Sequence, residues 1–391
     1  MYHSPLNGSQ LQRNLNSHDP LSFIPTNMGF AILKNHSVAV YTFLSMVFIL
    51  VESINIYGLT DILSGSSDDM ARYIPMIAMM QPGCISLILI RTYVHFCVNY
   101  QDKIFEEFCS LNNTDTHFQK KLSRDRKAAM YISIIYFLFV QVVFIAFMVP
   151  AVGDEYDCIY VFKMIQDAGQ YYGIILMILL AVCVIVISVA TAYPPVVALY
   201  FVLHLKFQTD LLNHYLEKNI KNLTSARVNP MHDIKFQKII YHRLTVCAEY
   251  HAKMRKYQQN LSSPSHSTAL LLYLSTCLML TGGLFFIIAE ISASSNFRIY
   301  LSFVSGAAEA LLFTCSGQIL VDVSNRYYEI LCECPWYNWN IRNRKALMMM
   351  LAGAAQPFKI TFFGIAELDF GFILKLSKTT YSLLAVARNM K

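Results

Sequence analysis

At 391 residues, with 55% hydrophobic and 14% charged side chains, the chain is too apolar for a soluble domain, where charged residues make up about a quarter. The net charge of +6 does not argue for a nucleic-acid partner, because the excess cations sit where a membrane topology places them. No Gly-rich phosphate loop, G-x-S-x-G or H-E-x-x-H pattern occurs, so the composition points away from an enzyme, and no cofactor is expected.

Residues 1–37 are polar, carry only Arg13 and Lys34 as cations and contain no short apolar core ahead of a cleavage site. They predict a cytoplasmic N-terminal segment. Seven apolar stretches follow, at 38–59, 74–98, 129–149, 172–205, 268–290, 297–321 and, less plainly, 365–387. Each reaches the roughly 20 helical residues needed to cross a hydrocarbon core. Of the 31 Lys and Arg residues, 21 lie in three of the six connections: six in 99–128, ten in 206–267 and five in 322–360. The connections 60–73, 150–170 and 291–298 hold one each. Basic residues near span ends are retained inside, so the N-terminus is predicted cytoplasmic and the C-terminus extracellular. That orientation is the reverse of a G-protein-coupled receptor. Ten cysteines do not make a disulfide framework, since Cys158 alone falls in a predicted outside loop. The glycosylation sequons at Asn7, Asn35, Asn112, Asn222 and Asn260 all fall on the predicted inner side.

Along the chain, the fourth stretch continues as a helix past the membrane, because Phe207, Leu211, Leu212, Tyr215, Leu216, Ile220 and Leu223 keep helical spacing. Pro194 and Pro195 should kink it. After Asn229 and Pro230, Ile240, Leu244, Cys247, His251, Met254 and Leu261 trace a second amphipathic helix leading to the fifth span. Two readings fit this pair: a hairpin covering the inner membrane face, or a platform for subunit assembly. In 322–360, Cys332 and Cys334 are too few for a structural zinc site, and no metal is expected there. Leu347, Met350, Leu351 and Ala354 form the apolar face of a short helix, which Pro357 interrupts.

The last span is polar along one face. Lys375, Lys378, Thr379, Ser382 and Asn389 recur in steps of three and four, opposite Phe372, Ile373, Leu376, Leu383 and Leu384. Ionisable groups within a span face a bundle interior or water, which suggests a conduit; otherwise both lysines snorkel or pair with Glu309 of the sixth span. One helix cannot enclose a pore, so a conduit requires several subunits. A second candidate site lies in the outward half of the bundle: Met76, Met79 and Met80 on span two, Phe139, Val143 and Phe147 on span three, Tyr171, Tyr172 and Ile175 on span four, Tyr300 and Phe303 on span six. Met and aromatic linings suit small apolar ligands held by dispersion and shape, although ordinary helix packing explains any one of them. Pro75 and Pro82 predict irregular backbone in span two.

The C-terminal third carries Cys334-Pro335-Trp336-Tyr337, a Met/Leu/Ala-rich helix ending Ala355-Gln356-Pro357, then Leu368-Asp369-Phe370, Leu374-Lys375 and Thr379-Thr380-Tyr381-Ser382 through Arg388. This order resembles the insect odorant receptor family, and length, span count and orientation agree. The resemblance implies an all-α, seven-span subunit of a ligand-gated non-selective cation channel in the plasma membrane of olfactory sensory neurons. It implies a heterotetramer of odour-tuning subunits with the odorant co-receptor, binding a small volatile odorant among spans two, three, four and six. It further implies that Trp336, Tyr337, Leu347, Met350 and Leu351 belong to a cytoplasmic anchor. The last span, with Lys375, Lys378, Thr379 and Ser382, would line the pore. The family's gate lies just beyond Thr380 and Tyr381, near Leu384, with Arg388 one turn farther out. Three basic residues on this helix disfavour four identical subunits, and the connection 206–267 is too short for the co-receptor itself. A gustatory-receptor-like channel shares the fold. A secondary transporter would show an internal repeat, and none is found. The expected organisation is therefore 1–37 as an N-terminal segment, 38–321 as spans one to six with helical extensions at 206–267, 322–360 as the anchor, and 361–391 as the seventh span and tail.

Overall fold

The computed structural model describes residues 37–64, 77, 81–88, 116–148, 169–223, 230–262, 293–362 and 366–389. In chain order the helices are α1 (Ser37–Ser64), α2 (Thr116–Met148), α3 (Gly169–Leu216), α4 (Ile234–Ser262), α5 (Ala293–Cys332), α6 (Ile341–Ala354) and α7 (Phe370–Asn389). Residues 81–88 are also helical. A two-residue antiparallel ladder, β1 (Thr361–Phe362) with β2 (Ala366–Glu367), precedes α7. Four helices, α1, α2, α3 and α5, are long and apolar enough to cross a membrane among the described residues. The expected spans at 74–98 and 268–290 fall largely or wholly outside them.

α3 is 48 residues long, or about 70 Å, more than twice a hydrocarbon core of ~30 Å. It therefore continues well past the membrane, as the stripe from Phe207 to Ile220 predicts. Pro194 and Pro195 lie inside it without ending it, and both are buried with their neighbours. Close packing on all sides keeps the helix going where two backbone donors are missing. After Leu216 the chain widens into one π turn, Glu217–Lys221, closed by Asn222 N–H donating to Glu217 O at 3.1 Å. The turn is clipped to the end of α5 by the ion pairs Arg326–Glu217 and Lys221–Glu333.

α4 starts sharply because Asp233 Oδ1 accepts the N–H groups of Lys235 and Phe236 at 3.1 and 3.2 Å, the N-cap arrangement. Its Ile240, Leu244, Cys247 and Met254 are wholly buried, joined by His251. Their cover comes from α3, the lower half of α5 and α6, so these four helices share one core below the membrane-spanning part. Thr209 on α3 meets Met254 at 3.6 Å, and Tyr250 donates to Gln208. α5 runs past 321 to Cys332, carrying Tyr327, Ile330 and Leu331 into this core.

Gln237 joins the pieces. Its amide nitrogen donates to Pro230 O and Asn338 O at 3.0 and 2.9 Å, and its oxygen accepts from Asn340 N–H at 2.9 Å and Asn343 Nδ2 at 2.7 Å. Asn340 in turn caps α6 through Asn343 N–H at 3.0 Å. Trp339 is completely buried beside this network, and Arg344 ties down the preceding turn through Trp336 O, Tyr337 O and Trp339 O.

His251 is stacked on Tyr327 at 4.7 Å and on Phe358 at 5.4 Å. Burial, and then the Arg255 guanidinium, lower its pKa from 6.5 to about 4. The folded state holds the neutral ring. Between about pH 6.5 and 4 the unfolded chain binds the extra proton, so stability is present above 6.5 and is lost as pH falls, by up to about 3 kcal/mol. Amide protection factors across 240–254 in the solubilised full-length chain, corrected for the pH dependence of intrinsic exchange, should fall between pH 7.5 and 5. His251→Phe should remove that pH dependence; an equal dependence in the variant would assign it to another group.

Candidate functional site

α7 is set at its start by two contacts. Asp369 Oδ1 accepts Phe372 N–H at 2.9 Å as an N-cap, and Phe370 N–H reaches Gln318 Oε1 on α5 at 3.4 Å. The backbone of Leu368 lies directly on Gly317: a Cβ there would stand 1.6 Å from the Leu368 carbonyl oxygen. Farther along, Leu376 is 4% exposed and packs against Ala310 and Phe303 of α5. The two helices thus run antiparallel, with residue 370 beside 318 and residue 376 beside 310.

At about 100° per residue, Lys378 lies about 200° around the helix from Leu376, on the side turned away from the subunit. Leu374, Lys375, Ser377, Lys378, Thr379, Tyr381 and Ser382 are all exposed. Thr379 and Ser382 donate to the carbonyls of Lys375 and Lys378 at 3.0 and 2.9 Å, so their hydroxyls are satisfied by the helix itself. Glu309 is buried on α5 near Tyr136 of α2, and among the described residues no ion pair joins it to Lys375 or Lys378. The side chains of Leu384 and Arg388 lie outside the described set.

The candidate ligand residues divide. Met76, Met79 and Met80 lie outside the described residues, as does the side chain of Phe147. Val143 is buried, and Phe139 and Phe303 are half-buried within the bundle. Tyr171 and Tyr172, by contrast, are 75% and 68% exposed, their rings edge to face at 5.9 Å; Ile175 and Tyr300 are also exposed. Helix register gives the reason. α2 and α3 are antiparallel, with Gln141 accepting from Ser188 at 2.6 Å at one level and Arg126 over the Phe207 ring at 5.2 Å at another. Measured from Ser188, Tyr172 stands about 24 Å outward, whereas Phe147 stands only about 9 Å outward from Gln141. The tyrosine pair therefore stands beyond the C-terminal end of α2, away from the level of Val143.

The anchor residues divide as well. Leu347 and Met350 are buried against α4 and α5, and Leu351 packs on the same core. Trp336 and Tyr337 point outward, together with Ile341, Met348 and Met349 of α6. Cys332 and Cys334 are free thiols, the first exposed and the second buried with Sγ 3.4 Å from Ile330 O. Burial, ahead of nearby charges, pushes the Cys334 pKa up to about 12, so it stays a neutral thiol. Gly317, Gln237 and the Gln141–Ser188 pair were not visible as site residues in the sequence.

Helices of membrane-crossing length, a core shared by their extensions and a final helix with an outward polar face define a multi-span helical membrane protein. The fold matches that of the insect olfactory receptor OR5 from Machilis hrabei, solved in complex with eugenol, with a TM-score of 0.69 at 10% identity over 90% of this chain and 88% of that one. A second OR5 structure gives 0.67 at 12% identity over the same shares. The sequence model described as 7tm Odorant receptor matches residues 68–381, and the chain belongs to that family. Odorant receptor 49a of Drosophila melanogaster is 29% identical over 86 residues, a match spanning 22% of each chain.

Proposed function

We propose that the chain is the odour-tuning subunit of a ligand-gated, non-selective cation channel, assembled as a heterotetramer with the odorant co-receptor in the plasma membrane of olfactory sensory neurons. The observation that carries this reading is α7: among its described side chains Leu376 is buried on the inner face, while Lys375, Lys378 and Ser382 stand exposed. Exposed lysines in a span are costly against lipid and are accommodated beside water. Several copies of this face around an axis make a conduit, and dilution by co-receptor subunits limits the number of like charges. The outward apolar side chains at Trp336, Tyr337, Ile341, Met348 and Met349 supply the surface for subunit contacts. The basic connections support an inside N-terminus and an outside C-terminus.

Odorant-evoked current should be recorded from cells expressing the chain with the co-receptor and should be absent with the chain alone. No current in the pair across a broad panel of volatiles, at normal surface level, would reject the channel reading. In this reading the ligand binds in the outer bundle at the level of Val143 on α2 and Phe303 on α5, with Phe139 one turn along α2 from Val143. Val143→Ala or Phe303→Ala should change the rank order of responses while leaving ion selectivity unchanged, since a lost apolar contact removes roughly 1–3 kcal/mol from a ligand that used it. An unaltered rank order in both would move the ligand elsewhere.

A further inference from the structure

α2 carries two patterns that meet. Its exposed apolar side chains, Ile145, Val142, Leu138, Ile135 and Tyr131, recur in steps of three and four along one face, the face left uncovered by α3 and α5. Acyl chains suit such a stripe when the helix crosses a membrane. Continued toward the helix start by the same steps, it passes exposed Ala128 and reaches Arg124 and Lys121, both exposed. Lys120 and Lys127 stand exposed beside them, and Arg124 keeps 80% of its side-chain surface free.

The one carboxylate in this stretch is Asp125, whose contact with Arg124 is a loose 3.9 Å. An exposed pair at that distance neutralises little. On the adjacent helix, Lys206 and Arg126 lie over the same Phe207 ring at 5.1 and 5.2 Å, and Lys206 is paired with Asp210 at 3.2 Å. Among the described residues of α2 and α3 at this level, the positive charge without a close carboxylate thus lies on the exposed side of α2, within the first turns below its apolar stripe.

From this register we propose that Lys120, Lys121, Arg124 and Lys127 form a binding site for the headgroups of anionic phospholipids in the leaflet on the basic side of the bundle. The acyl chains lie along Tyr131, Ile135 and Leu138, and the phosphate and any further headgroup anion meet the four cations one to three turns below. Four cations next to a span attract anionic lipid at about fivefold per charge near the surface, falling within a Debye length. The site rests on the membrane-spanning reading of α2 and not on the channel reading.

The test uses the full-length chain reconstituted in phosphatidylcholine bilayers containing spin-labelled phosphatidylserine or spin-labelled phosphatidylcholine. The motionally restricted fraction of each label gives their relative affinity for the protein surface. The wild-type chain should favour phosphatidylserine several-fold, less so at high salt. The quadruple variant K120Q/K121Q/R124Q/K127Q should bring the ratio close to one. The variant K235Q/K238Q, which changes exposed cations on α4 away from the lipid-facing stripe, should keep the wild-type ratio. Glycerophosphoserine, the same headgroup without acyl chains, should not displace the lipid at millimolar concentration. Equal ratios in the wild type and the quadruple variant would overturn the proposal, and so would loss of the preference in K235Q/K238Q. Full displacement by glycerophosphoserine would make the patch a soluble-anion site and overturn it as well.

Discussion

Gly317→Ala should abolish most of the odorant-evoked current of the assembled receptor. The added methyl would stand 1.6 Å from the Leu368 carbonyl oxygen and 2.7 Å from its carbon, both backbone atoms. No rotamer change relieves that overlap, so either α5 or the turn that opens α7 must shift. Overpacking of this kind costs about 1–3 kcal/mol and sometimes more. The displaced element is the one that starts the last span: Asp369 caps α7, and Phe370 is bonded to Gln318, one residue beyond the glycine. A loss of at least roughly tenfold in current per receptor at the cell surface is the expected readout, since about 1.4 kcal/mol already corresponds to tenfold. Gly353→Ala is the matched control. That glycine lies in the last turn of α6 with open space where a Cβ would go, so alanine meets no clash there. Wild-type current from Gly317→Ala would show that the close approach of α5 to α7 is dispensable.

The contrast between these two glycines marks what a sequence carries and what it does not. Periodicity over many residues was legible: the stripe Ile240, Leu244, Cys247, Met254 is the buried face of α4, and the run from Phe207 to Ile220 did continue α3 beyond the membrane. These features are local sums over a single helix, and any partner that buries the face satisfies them. Leu347 and Met350 were legible for the same reason. Gly317 was not, because its meaning is a contact with a carbonyl 51 residues later in the chain. Gln237 reads as one more polar residue on a cytoplasmic helix until Pro230, Asn338, Asn340 and Asn343 are brought around it. Tyr171 and Tyr172 mark a different limit. Hydropathy segments put them in the outward half of the bundle, but what they meet there depends on which residues of neighbouring helices lie side by side. The Gln141–Ser188 hydrogen bond fixes that register, and it leaves the tyrosines well outward of α2.

Charge reversal on α7 should give the clearest change in permeation. Lys375 and Lys378 are exposed on a helix whose inner contact is Leu376, and neither is tied to Glu309 among the described residues. If α7 lines the conduction path, each lysine sets a positive potential beside the ions, and that potential lowers the local concentration of cations. Lys378→Glu, on the face farthest from α5, should therefore raise cation conductance or strengthen block by divalent ions. Lys375→Glu, nearer the packed side, should act in the same direction with a smaller amplitude. Both effects should shrink as ionic strength rises, because the charges are exposed and screened. Reversal also leaves the hydroxyl-to-carbonyl bonds of Thr379 and Ser382 in place, so the helix itself has no reason to fail. Surface level measured beside single-channel conductance separates permeation from assembly: normal expression with unchanged conductance, selectivity and block in both variants would remove α7 from the pore, whereas lost expression alone would place the lysines at a contact between subunits.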